Sequence, residues 1–139
     1  MALEISSDPE RLDVDTIHRW LSGDAYWALG RTREVVARSI AHSINFGAYD
    51  GGELVGYARL VTDRATYAWL CDVYVEGSHR GRGVGSALLS AVDQQLASYG
   101  VGRAVLATND AHAVYARFGF APLTNPERWM ARAYQDPTA

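Results

Sequence analysis

The chain contains no lysine; all 13 of its basic residues are arginine. That absence removes the lysine of a Walker phosphate loop, the Schiff-base lysine of pyridoxal enzymes and any lysine base. Cysteine is limited to Cys71, which excludes an internal disulfide and a cysteine zinc cluster. The four histidines, His18, His42, His79 and His112, are scattered and form no H-x-x-x-H pair, so no metal is expected. No apolar run reaches 18 residues, and the opening M-A-L-E-I-S-S-D-P-E lacks the basic and apolar regions of a signal peptide. A cytoplasmic protein without a membrane partner is expected. Excess positive charge is missing as well: the formal net charge is −3, which disfavours nucleic acid and anionic membrane surfaces.

What is present suits one globular domain spanning residues 1–139, with 48% hydrophobic and 21% charged residues and no repeat or linker. Leu3 to Ile5 reads as a short strand. Val14, Ile17 and Leu21 fall at helical spacing after a capping aspartate, Asp13 or Asp15, and Thr32 caps a second helix to about Ser43. The period then changes to two. Asn45–Tyr49 and Glu53–Val61 flank Asp50-Gly51-Gly52 as a β-hairpin, and Thr66–Val75, apolar except for Asp72, reads as a central strand. Gly83–Tyr99 is an amphipathic helix ended by Gly100. Arg103–Thr108 predicts a buried strand, Ala111–Arg117 a short helix, and Phe120–Leu123 and Arg128–Ala133 two closing strands. The expected fold is α+β, with a mixed, mainly antiparallel sheet of six to seven strands and about four helices.

The most informative residues are Arg80, Gly81, Arg82, Gly83, Val84, Gly85 and Ser86, which open the strongest helix. A glycine loop at a helix N-terminus aims several free N–H groups at one point, where the helix dipole adds positive potential. Arg80 and Arg82 add donors that fit phosphate oxygens. A tight strand-to-helix turn needs one glycine; three at alternate positions between arginines point to a pyrophosphate-containing ligand. A dinucleotide fingerprint fits poorly. Five residues, Glu76 to Arg80, separate Gly81 from the strand's end at Val75, Ser86 stands where the third glycine belongs, and Val101–Val105 holds no acid for a ribose.

The segment Val73 to Gly85 resembles the acyl-CoA signature of the GNAT N-acyltransferase superfamily, whose core R/Q-x-x-G-x-G/A is met by Arg80, Gly83 and Gly85. Ala111 to Phe120 is similar to the family's later segment, where a helix carries a tyrosine before a Gly-Phe pair. The resemblance implies acetyl-CoA as cosubstrate and direct transfer of its acyl group to the amine of a small acceptor. A sensor that binds acyl-CoA without turnover is the alternative. It further implies that main-chain groups of Val73, Tyr74 and Val75 pair with pantetheine where the sheet splays, and that Tyr115 is the general acid for the thiolate. Without the resemblance, Tyr115 reads as a core tyrosine packing with Phe118 and Phe120. The family often has asparagine seven positions before the tyrosine; this chain has Thr108 there, with Asn109 one place on as a cofactor-binding candidate. Many relatives dimerise, so a homodimer is left open.

Asp72 is the candidate base, because burial raises a carboxyl group's pKa toward a useful range. Strand alternation nevertheless puts it opposite Trp69, Cys71, Val73 and Val75, and a carboxylate held by backbone or arginine is the equal alternative. Asp110 and His112 are further candidates acting through water, although Asp110 also suits a helix cap. Cys71 reads as a small hydrophobe rather than a nucleophile. For the acceptor, Trp20, Tyr26, Trp27 and Arg31 offer an aromatic wall and a carboxylate partner; Trp20 and Trp27 read equally well as core anchors.

Overall fold

The computed structural model describes residues 1–135. Strands β1 (Leu3–Ser6), β2 (Ile44–Asp50), β3 (Glu53–Thr62), β4 (Tyr67–Val75) and β5 (Arg103–Val105) form a sheet in sequence order. Neighbours are antiparallel except β4 and β5, which are parallel. Helices α1 (Val14–Gly23) and α2 (Arg33–Ala41) join β1 to β2; α3 (Val84–Tyr99) crosses from β4 to β5, and α4 (His112–Ala116) follows. No helix among the described residues is long and apolar enough to cross a membrane.

Local chemistry accounts for most boundaries. Asp13 caps α1 by accepting from the Thr16 N–H, and Thr32 caps α2 by accepting from Val35. Asp50 pairs with Glu53 across Gly51 and Gly52, whose φ angles of +57° and +89° make the turn. The sheet separates two cores. On one face Phe46, Ala58, Leu60 and Leu70 meet Val84, Leu88, Leu89 and Val92 of α3. Gly56 lets that helix approach, since a Cβ there would lie 3.0 Å from Val84 and 3.1 Å from Leu88. On the other face Ile17 and Leu21 of α1 and Val36 and Ile40 of α2 cover Tyr57 and Tyr74.

The sheet has five strands, not six to seven. Neither closing strand forms among the described residues. Pro122 interrupts the first expected strand, and Pro126 starts a 3₁₀ turn through Arg128 that consumes the beginning of the second. Trp129 then docks by its side chain, stacking on Tyr67 at 6.4 Å with Arg103 above its ring. β5 also ends at Val105 rather than Thr108.

Candidate active site

β4 touches β5 only through Tyr67, Ala68 and Trp69, opposite Arg103, Ala104 and Val105. Beyond that point the two segments separate. The gap is a cleft of about 480 Å³ lined by Tyr26, Trp27, Arg31, residues 69–73, residues 106–111 and Tyr115. From Leu70 onward, β4 pairs with β3 on one side and leaves its other edge toward the cleft. Val73 of that edge lines the cleft, and further along the Val75 carbonyl accepts from Arg80 Nε.

A β-bulge shapes the cleft wall. Arg59 pairs with Cys71 and Tyr57 with Tyr74, so Ala58 alone opposes Asp72 and Val73. Asp72 occupies the left-handed region at φ +53°, uncommon for a non-glycine residue. The bulge inverts the alternation: Leu70, Val73 and Val75 pack toward α3, whereas Tyr74 packs toward α1 and α2. Simple alternation placed Asp72 opposite Trp69 and Cys71. The extra residue instead brings the three to one cleft wall.

Asp72 is buried and fully engaged. Its Oδ1 accepts from Trp27 Nε1 at 2.9 Å and an Arg31 amino nitrogen at 3.1 Å. Its Oδ2 accepts from the same Arg31 nitrogen at 3.0 Å and from Arg59 Nε at 2.8 Å. Arg59 also donates to Ser43 Oγ at 3.1 Å and lies over the Trp69 ring at 5.7 Å. Burial pushes the neighbouring Cys71 thiol up to about 12, so it stays protonated and is no nucleophile at neutral pH.

Tyr115 is half-buried where α4 meets the cleft, edge-on to Phe120 at 6.1 Å. Burial, assisted by the charges of Tyr26 and Asp110, raises its pKa, so the phenol keeps its proton at neutral pH. No side chain caps α4, Asp110 included; the Thr108 hydroxyl accepts from Ala111 N–H at 3.1 Å in the turn before it. The Asp110 side chain is consequently exposed with no hydrogen bond among the described residues. Asn109 donates its main-chain N–H to Tyr26 Oη at 2.8 Å, tying the loop after β5 to the connection between α1 and α2.

The glycine loop lies at the same end of β4. Gly81 and Gly83 have φ of +72° and +85°, and Gly83 opens α3 with no side-chain cap. A Cβ on either glycine would meet no protein atom within 4 Å, so the space above the helix start is open. The leading N–H groups of Val84, Gly85 and Ser86 are thus available to an anion. Arg82 is exposed and has no hydrogen-bond partner among the described residues. Arg80 is tied down: Nε donates to the Val75 carbonyl at 2.9 Å and an amino nitrogen to Asp24 at 3.0 Å.

Of the acceptor candidates, Tyr26, Trp27 and Arg31 line the cleft and Trp20 does not. Trp20 instead stacks on Tyr74 at 5.3 Å, whose hydroxyl donates to Asp24 at 2.5 Å, so it anchors α1 to the sheet. Arg59 escaped the sequence reading. Its signal is a lone charge inside an apolar strand, matched by the lone Asp72 in the next strand.

Comparison with known proteins agrees with this geometry. Residues 14–120 match the Acetyltransferase (GNAT) family. A Gibberella zeae protein named "Putative acetyltransferase FG08082" is 30% identical over 126 residues, covering 76% of this chain and 71% of that one. A crystal structure of a GNAT-family protein from Xanthomonas campestris superposes with a TM-score of 0.92 at 43% identity, covering 96% of this chain and 94% of its own. Glucosamine-6-phosphate N-acetyltransferase from Arabidopsis thaliana shares the fold at 13% identity, with a TM-score of 0.69 over 97% and 100% of the two chains.

Proposed function

Because the chain belongs to the GNAT acetyltransferase family and is an acyltransferase, we propose that it moves an acetyl group from acetyl-CoA directly to the amine of a small molecule. The observation that carries this reading is the cleft where β4 leaves β5, with an uncapped, glycine-led helix at one end and a protonated tyrosine on its wall. Acetyl-CoA would supply an activated thioester on a long, strand-like arm with a pyrophosphate. The N–H groups of Val84, Gly85 and Ser86, with Gly81, Arg82 and Gly83 around them, would hold the pyrophosphate. The edge of β4 at Val73, Tyr74 and Val75 would take the arm as an added strand, with Arg80 giving up its hold on the Val75 carbonyl.

Tyr115 would return a proton to the departing thiolate, since its phenol lies on the cleft wall and is protonated at neutral pH. Asp72 is proposed as the anchor of Arg31, Arg59 and Trp27 rather than as the base, since donors occupy both its oxygens. Asp110 has its carboxylate free at the cleft and is the candidate to receive the amine's proton through water. A thiol-release assay with acetyl-CoA across a panel of small amines tests the reading. Amine-dependent turnover is expected; tight CoA binding with no turnover on any amine would instead make the protein an acyl-CoA sensor.

A further inference from the structure

The cleft wall carries an unbalanced charge, and we propose that it selects an acceptor bearing a carboxylate beside its amine, an aminocarboxylic acid. The inference rests on the acyltransferase reading above and adds the chemical class of the acceptor. The Asp72 side chain is 1% exposed, and the two guanidiniums on it, Arg31 and Arg59, are 11% and 9% exposed. One negative charge meets two positive ones in a largely buried cluster whose unpaired arginine nitrogens still reach solvent. Such a surplus is costly unless an anion completes it. Protein closes the cluster from α2's end through Ser43 and from the α1–α2 connection through Trp27, whereas Arg31 itself lines the cleft.

The unused donors agree with this account. A single amino nitrogen of Arg31 makes both of its contacts with Asp72. Its Nε and other amino nitrogen have no hydrogen-bond partner among the described residues, and neither does one amino nitrogen of Arg59. A planar guanidinium with an open pair of N–H groups matches a carboxylate in two parallel bonds. The same cleft holds the free carboxylate of Asp110, a partner for the ammonium of the incoming zwitterion. Trp69 and Tyr26, 43% and 39% exposed, offer ring faces to the rest of the molecule.

The test compares four pools at saturating acetyl-CoA: the standard amino acids, their α-carboxamides, the corresponding decarboxylated amines, and aminoalkyl phosphates. The free acids are expected to exceed the amides in kcat/KM by about tenfold or more, the size of a charge-assisted contact. Arg31→Gln should erase that preference mainly through the acid's KM, lowering kcat/KM for the acids far more than for the amides while the acetyl-CoA Kd is kept. Asp72 keeps Arg59 and Trp27 in that variant, so the fold is expected to hold. If it does not, Arg31→Lys supplies the same readout, retaining charge but losing the fork and most of the preference. Equal or better use of amides or simple amines overturns the proposal. So does a preference for phosphates, or turnover of no pool although acetyl-CoA binds. Failure to bind acetyl-CoA in calorimetry would overturn the acyltransferase reading instead.

Discussion

The donor half and the acceptor half of the cleft are built on different principles. The proposed donor half is one stretch of chain, Val73 to Ser86, and would recognise mainly through main-chain groups: a strand edge that β5 leaves unpaired and a helix start left uncapped. The acceptor half gathers side chains from the α1–α2 connection (Tyr26, Trp27, Arg31), β3 (Arg59), β4 (Trp69, Asp72) and the loop after β5. Main-chain recognition constrains residue type strongly, because only glycine enters the left-handed region freely and leaves room for a ligand. A side-chain constellation can be assembled from many sequences. One fold can therefore keep a fixed donor site and vary its acceptor.

The sharpest way to break the donor half is Gly83→Val. Valine at φ +85° is strained, and its side chain would enter the open space above α3. Loss of measurable acetyl-CoA binding is expected from a folded protein. Unchanged affinity in calorimetry would place the pyrophosphate elsewhere.

The matching break in the acceptor half is Asp72→Asn, which should act on stability. Removing one partner of a buried ion pair costs about 3–5 kcal/mol, because the charges left behind lose their counterion. Asparagine also turns one acceptor oxygen into a donor facing Arg59, Arg31 or Trp27. A lowered melting temperature with a pH–rate profile of unchanged shape is expected. A normal melting temperature with a rate rescued at high pH would make Asp72 the base after all.

These two halves were also unequally legible. The glycine loop, the helix it opens, the hairpin at Gly51–Gly52 and the caps Asp13 and Thr32 are local, and local spacing revealed them. The Asp72 bulge is not local. It arises because Ala58 faces two β4 residues, and no pattern within Thr66–Val75 announces the extra one. Counting by twos therefore aimed Asp72 at the wrong face. Trp20 stayed open between two readings for a related reason: an aromatic near a loop fits a pocket or a core equally well until its partner, Tyr74, is known. The closing strands failed for a local reason, Pro122 and Pro126, and a tertiary one, the docking of Trp129, which together prevail over an alternating pattern.

Between the halves stands Tyr115, and Tyr115→Phe separates chemistry from binding. General acid catalysis contributes about a hundredfold or more, so kcat should fall by that order. The ring and its contact with Phe120 remain, so acetyl-CoA affinity should be kept. Full turnover by the phenylalanine variant would assign Tyr115 to packing.

The smallest effect concerns how the donor loop is braced. His79 Nδ1 lies 2.7 Å from Glu76 Oε2 and Nε2 lies 3.1 Å from Asp50 Oδ2, linking the loop to the β2–β3 turn. A neutral imidazole has one N–H and can donate to only one of these carboxylates; the imidazolium donates to both. Glu76 and then Asp50 accordingly raise the histidine's pKa, against an opposing push from Arg82. A raised folded-state value means that the brace contributes fully below about pH 6.5, the ordinary value for histidine, and fades as pH rises through the folded-state value. The melting temperature of the wild type should therefore exceed that of His79→Ala more at pH 6 than at pH 8. The gap should be modest, because these carboxylates are solvent-accessible and salt screens them. A gap that is equal at both pH values would show that His79 braces the loop by shape alone, and would remove charge from the account of this end of the donor half.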